Sequence, residues 1–161
     1  MHRKPSNLLT LFAVVFTGLS ATILASCSTN TVYDSYEHAP VSGWEKNDTL
    51  VFDVPRITVA GNYRQQIGLR MTGTYPFTSI SLIVEQKVIP SGRVLTDTLK
   101  CQVTDERGNF LGQGISAYQY SFDLKELTLN GGDSLHVTVR HNMKREILPG
   151  VSDIGLEMKR E

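Results

Sequence analysis

The chain has 161 residues, with 16 Lys+Arg balanced by 16 Asp+Glu. That length suits one domain of ordinary size, and 40% apolar with 20% charged content is the composition of a folded body rather than a disordered chain. Zero net charge lacks the basic excess on which nucleic-acid binding depends, so no nucleic-acid partner is expected.

The first segment carries the clearest signal. Residues 1–26 hold His2, Arg3 and Lys4 and no acid, and residues 8–25 run without a charge. A spanning helix takes about 20 predominantly apolar residues. This run is broken by Thr10, Thr17, Gly18, Ser20 and Thr22 and ends in small residues, as cleaved signals do. Leu24-Ala25-Ser26-Cys27 has the form of a bacterial lipobox. The expectation is a lipoprotein signal peptide over 1–26 and lipidation at Cys27, whose thiol takes a diacylglyceryl group as a thioether. At about 0.8 kcal/mol per buried CH₂, several acyl chains make a long-lived membrane anchor. Cys101 is then left without a disulfide partner. Its strand-like surroundings, Thr98 to Val103, predict a buried structural thiol. Ser28 rather than Asp follows the anchor, and no acidic cluster follows it, which favours the outer membrane facing the periplasm. Residues 28–43, rich in Ser, Thr, Asn and Pro, read as a flexible tether of roughly 20–24 Å root-mean-square reach.

A β domain is expected over 44–161, starting at Trp44. Leu50, Phe52 and Val54 share one side of a strand; Ile67, Leu69 and Met71 alternate with Gln66, Gly68 and Arg70. Ile80–Val84, Leu135–Val139 and Ile154–Met158 repeat the pattern, the mark of half-buried strands. Turn residues lie between, as at Gly73-Thr74-Tyr75-Pro76, Pro90-Ser91-Gly92, Asn130-Gly131-Gly132-Asp133 and Pro149-Gly150. About eight strands result: 49–59, 63–73, 78–88, 95–104, 110–112, 118–124, 134–142 and 153–159. With no sustained helical period, the fold class is all-β, an antiparallel two-sheet β-sandwich, jelly-roll-like.

Chemistry is sparse. Asp105-Glu106 sits in a turn beside Arg107 and Gly108, where acids bond local backbone. His136 and His141 are five apart on a strand, so they face opposite ways and cannot share a metal. There is no nucleophile elbow, zinc-protease motif or phosphate loop. No catalytic residue, metal site or cofactor is expected. Gly112-Gln113-Gly114 reads as a turn or bulge. Trp44, Tyr75, Tyr118 and Tyr120 are the candidates for a glycan-stacking surface, with core packing the favoured reading. Arg140, Lys144 and Arg145 form a basic cluster, either a solvated edge or a docking patch for an acidic partner. Asp48-Thr49-Leu50, Asp97-Thr98-Leu99 and Asp133-Ser134-Leu135 share a form that some periplasmic O-glycosylation systems accept, though such short motifs also arise by chance.

A family resemblance rests on a run of residues. They are the lipobox Cys27, Val32-Tyr33-Asp34, Trp44, Leu50-Val51-Phe52, Leu69-Arg70, Tyr75-Pro76-Phe77, Asp97-Thr98-Leu99 and Asp105 through Gly112. The run closes with Met143 through Leu156, which includes Leu148-Pro149-Gly150-Val151-Ser152-Asp153-Ile154-Gly155. The mature chain resembles the GldH family of gliding motility lipoproteins over nearly its whole length. It departs at Met143-Lys144, where the family pattern has Met-Arg. The resemblance implies a non-catalytic accessory component of the gliding and associated secretion machinery, with envelope proteins as partners. It implies no catalytic residues. Pro76 would fix a turn, Gly108, Gly112 and Gly150 would supply special dihedrals, and Asp153 would bond local backbone. A carbohydrate-binding envelope lipoprotein is the alternative.

Overall fold

The computed structural model describes residues 30–161. The expected signal peptide and Cys27 lie outside them. Eleven strands follow in order: β1 (Thr31–His38), β2 (Trp44–Glu45), β3 (Leu50–Val54), β4 (Gly61–Thr72), β5 (Ser79–Ile89), β6 (Val94–Gln102), β7 (Ala117–Asp123), β8 (Leu127–Leu129), β9 (Ser134–His141), β10 (Ile147–Leu148) and β11 (Val151–Arg160). All pairings are antiparallel.

The first sheet runs β1-β11-β4-β7, with β8 continuing beside β4 where β7 ends; the second runs β3-β9-β5-β6. β7 and β8 act as one strand. Both pair with β4, and between them the Leu124 amide donates to the Gln65 carbonyl at 2.9 Å. Counted so, eight strands are shared four and four between two sheets in jelly-roll order, with β5 and β6 the one consecutive pair in a single sheet. The period-two pattern explains why. Ile67, Leu69, Met71, Ile154, Leu156 and Met158 point inward from the first sheet, and Ile80, Leu82, Val84, Val137 and Val139 meet them from the second. Cys101 is buried among them, as its sequence surroundings predict.

Two expectations are corrected. The flexible tether does not extend over 27–43: Thr31–His38 is an edge strand, in register with β11 from Tyr33 opposite Met158 to His38 opposite Asp153. Its polar composition hid it, because an edge strand needs apolar burial on only part of one face. Here Tyr33 supplies that burial. The β body therefore begins before Trp44. Second, residues 110–112 form no strand; Phe110 makes a single bridge to Thr104. The short β2–β10 pair, absent from the sequence reading, closes one end with Trp44 opposite Leu148, both fully buried.

Candidate functional site

Most of the aromatic candidates are structural. Trp44 is 0% exposed and its indole N–H donates to the Asp48 carbonyl at 3.0 Å. Tyr75 is 4% exposed and its hydroxyl donates to the Ser79 carbonyl at 2.9 Å; Tyr120 is 7% exposed and donates to Val103 at 2.8 Å. Tyr118 is half-buried and stacks on Phe110, ring centroids 4.2 Å apart. A sugar-stacking surface needs open ring faces, and Trp44, Tyr75 and Tyr120 do not offer them, while Tyr118 has one face against Phe110. Burying an aromatic ring while its polar tip finds a backbone partner is the stable use of Trp and Tyr in a core.

Arg140, Lys144 and Arg145 are exposed, and the described residues place no carboxylate within 4.0 Å of them. Arg140 lies on the outer face of the second sheet, while Lys144 and Arg145 lie in the β9–β10 loop. His136 and His141 face opposite sides of β9. His136 meets Asp53 at 2.7 Å on the outer face, and His141 is buried against Trp44, centroids 5.3 Å apart. Asp105 accepts from the amides of Arg107 and Asn109, each at 2.8 Å, as a turn acid does. The Asn109 side-chain amide, which donates to Asp105 at 2.9 Å, and after it these backbone bonds hold the carboxyl below the usual range. Thr49 and Thr98 are exposed and Ser134 is half-buried.

The structure assembles one site that sequence reading missed, a groove of about 240 Å³ on the outer face of the first sheet. Strand register builds it. Tyr36, Gly155, Gly68 and Ser121 stand opposite one another across β1, β11, β4 and β7. The two glycines leave a trough in the pleat, and the Tyr36 ring lies in it. A Cβ added to Gly155 would come within 2.6 Å of the ring, and one on Gly68 would strike its hydroxyl. The Arg70 guanidinium covers the Tyr36 ring from 3.8 Å, a cation–π contact. Gln119 donates to the Tyr36 hydroxyl at 3.4 Å. Burial raises the Tyr36 hydroxyl above its ordinary value, against the opposing pull of Arg70. Along the trough, Asp34, Glu157 and Gln66 form the row on one side of Tyr36, and His38 pairs with Asp153 in the row on the other side. Arg64 and Gln66 both donate to Asp123, at 3.0 and 2.7 Å, and hold its carboxyl low.

These groups are hydrogen-bonding and charged, and they are fixed by register. Among the groove residues there is no Ser, Cys or Lys nucleophile bonded to a base, and among the described residues no group of three or more His, Cys, Asp or Glu is placed to hold a metal. The arrangement suits recognition. Sequence reading missed it because Tyr36 and Gly155 are 119 positions apart; only the register of an unexpected strand joins them.

Comparison with known proteins follows the same body. The family model described as GldH lipoprotein matches residues 31–158, from the start of β1 nearly to the end of β11. The chain belongs to the GldH lipoprotein family. It is 29% identical over 150 residues to the gliding motility lipoprotein GldH of Flavobacterium johnsoniae, covering 89% of this chain and 93% of that one. It is 25% identical over 159 residues to the GldH homolog of Christiangramia forsetii, covering 93% and 94%. Among solved structures, a family 35 carbohydrate binding module from Clostridium thermocellum superposes with a TM-score of 0.41 at 10% identity, covering 76% of this chain and 90% of the module.

Two turns far apart in sequence meet in this structure. Gly150, with φ +81°, brings its Cα so close to the Tyr75 backbone that an added Cβ would sit 2.5 Å from the Tyr75 nitrogen. The Thr72 amide donates to the Gly150 carbonyl at 2.8 Å. The Tyr-Pro-Phe turn and the Leu-Pro-Gly-Val turn are therefore one packed unit. Gly112 serves differently from expectation. It is not among the positive-φ glycines; it makes room for Tyr120, whose ring an added Cβ would meet at 2.7 Å. Asp153 also departs from expectation, reaching His38 on the edge strand rather than its own local backbone.

Proposed function

We propose that this GldH-family chain is a lipid-anchored, non-catalytic component of the gliding motility and associated secretion machinery. In this reading it is acylated at Cys27, held in the outer membrane and turned toward the periplasm. One observation carries the reading: the family match begins at residue 31, four positions after the lipobox cysteine, and spans nearly the whole β body. The groove supports recognition over catalysis, because its side chains are locked to one another by register rather than arranged as nucleophile and base. Docking on another envelope protein is assigned to the exposed basic residues Lys144 and Arg145, which suit an acidic partner surface.

Mass spectrometry of the natural protein tests the anchor, with a diacylglyceryl or triacyl mass expected on an N-terminal Cys27. Crosslinking of the lipidated protein in cells, followed by pull-down, tests the docking. A reproducible envelope partner is expected, and Lys144→Glu with Arg145→Glu should lower its yield at least fivefold. No partner above the background of an unrelated lipoprotein would defeat the reading. The burial of Trp44, Tyr75 and Tyr120 weighs against the carbohydrate alternative, leaving the half-buried Tyr118 of its four candidate rings. The half-exposed Tyr36 has one ring face on glycine and the other under Arg70.

A further inference from the structure

Two residues, Ser28 and Thr29, separate Cys27 from Asn30. Three Cα-to-Cα steps span at most about 11 Å. Asn30 is already tied to the body, its carbonyl accepting from the Arg160 amide at 2.9 Å, and β1 begins at the next residue. A lipid on Cys27 therefore leaves the domain almost no freedom to move away from the bilayer.

The end of the sandwich that Asn30 belongs to is a defined surface. It is formed by the β3–β4 connection (55–60), the β5–β6 turn (90–93), the β8–β9 loop (130–133) and the last residues of β11. Hydrogen bonds join these pieces. The Ile57 amide donates to Asp133 and the Gly132 amide to Ile57, each at 2.7 Å. The Arg93 guanidinium donates to the Thr128 carbonyl at 2.9 Å, and the Tyr63 hydroxyl to Val59 at 2.5 Å. The surface exposes Arg56, Arg93 and Arg160 beside Val59, Ile89 and Val94. The ion pairs of the described residues lie elsewhere, so these three guanidinium groups have no described carboxylate within 4.0 Å. Asp133 is turned inward to accept from the Asn130 amide, which leaves Glu161 as the exposed acidic side chain here. The outer face of the first sheet, by contrast, sets Asp34, Asp123, Asp153 and Glu157 beside Arg64, Arg70 and Lys159, and so has no basic excess to offer an anionic leaflet.

We propose that this end of the sandwich is a lipid-headgroup surface. Arg56, Arg93 and Arg160 contact phosphates of the leaflet that holds the Cys27 acyl chains, while Val59, Ile89 and Val94 enter the interfacial layer. Basic residues beside a short apolar edge are what an anionic interface selects. The body then stands on end. Its long strands, about 30 Å from one end to the other, carry Lys144, Arg145 and the β2–β10 closure to the far side of the domain. The inference rests on acylation of Cys27.

The test uses the full acylated protein in vesicles of phosphatidylethanolamine and phosphatidylglycerol doped with a nickel-chelating lipid, with a nitroxide at Thr58→Cys or at Lys144→Cys. Mass spectrometry is run first. Absence of the acyl mass on Cys27 would remove the anchor and the orientation with it. With the acyl mass present, relaxation of the Thr58 label should exceed that of the Lys144 label at least threefold. Equal or reversed relaxation would overturn the headgroup surface while leaving the anchor intact. Replacing Arg56, Arg93 and Arg160 together by Gln should halve the enhancement at Thr58, and replacing them by Lys should preserve it. An enhancement that the Gln variant leaves unchanged would overturn recognition by charge.

Discussion

Tyr36 lies with its ring against Gly155, the residue directly opposite it on the neighbouring strand. The edge strand is held by this side chain as well as by its backbone ladder. Aromatic cover of a cross-strand glycine is a known way to pin register. Gly155→Ala should cost about 1–3 kcal/mol, the usual penalty for overpacking, and Tyr36→Ala about 1–2 kcal/mol through lost burial. The double variant should lose less than the sum of the two, because the clash disappears with the ring. Urea unfolding of the four proteins checks this; strict additivity would show that ring and glycine are uncoupled.

Acid should weaken the fold through His141. Burial pushes its imidazole below the ordinary value of 6.5, partly offset by its bond to the Trp44 carbonyl. Nε2–H donates to that carbonyl at 3.2 Å and Nδ1 accepts from the Met143 amide at 3.4 Å, so a second proton breaks the latter bond. A depressed native value means that the unfolded chain binds more protons below pH 6.5. Stability from the neutral ring is thus complete above 6.5 and is lost as pH falls through the native value, by at most about 1.4 kcal/mol per pH unit. Melting temperatures measured from neutral pH downward should fall less steeply for His141→Gln than for the parent chain.

Gln65 offers a stabilising substitution. Its side chain is fully buried on the inner face of β4, and neither its amide nitrogen nor its oxygen has a partner among the described residues. Leaving both unpaired costs more than an apolar group of similar volume would. Gln65→Met should raise stability by about 1–2 kcal/mol, read as a shifted denaturant midpoint at unchanged m-value.

Cys101 should be silent in the native protein. It is fully buried, and desolvation pushes its thiol up to about 12. An aromatic disulfide reagent at mildly alkaline pH should release almost no chromophore from the folded chain and one equivalent per Cys101 once guanidinium unfolds it. Fast native reaction would place the thiol outside the core.

The long central strands were legible because their apolar residues recur at every second position and one face of each is buried. Ile67–Met71 and Ile154–Met158 carry that information alone. β1 was not legible: it is an edge, its best inward residue is Tyr33, and its neighbour β11 lies at the other end of the chain. The buried state of Cys101 followed from local alternation, whereas the burial of Trp44 depends on the two-residue β2–β10 pair, too short to leave a period. The groove was beyond reach for a related reason. Gly68 and Gly155 each read as an ordinary break in a strand pattern, and their meaning comes only from standing side by side beneath the Tyr36 ring of a third strand.

The pairing of the first strand with the last also sets how the body responds to force. In the proposed anchoring at Cys27, four positions before β1 begins, a pull between the bilayer and the far loops acts along the strand axis. Antiparallel hydrogen bonds run perpendicular to that axis, and the β1–β11 ladder extends from Thr31 to His38. Tension is therefore shared by all of its rungs at once in shear, instead of opening them one by one from an end, which is the geometry in which a β seam resists rupture best.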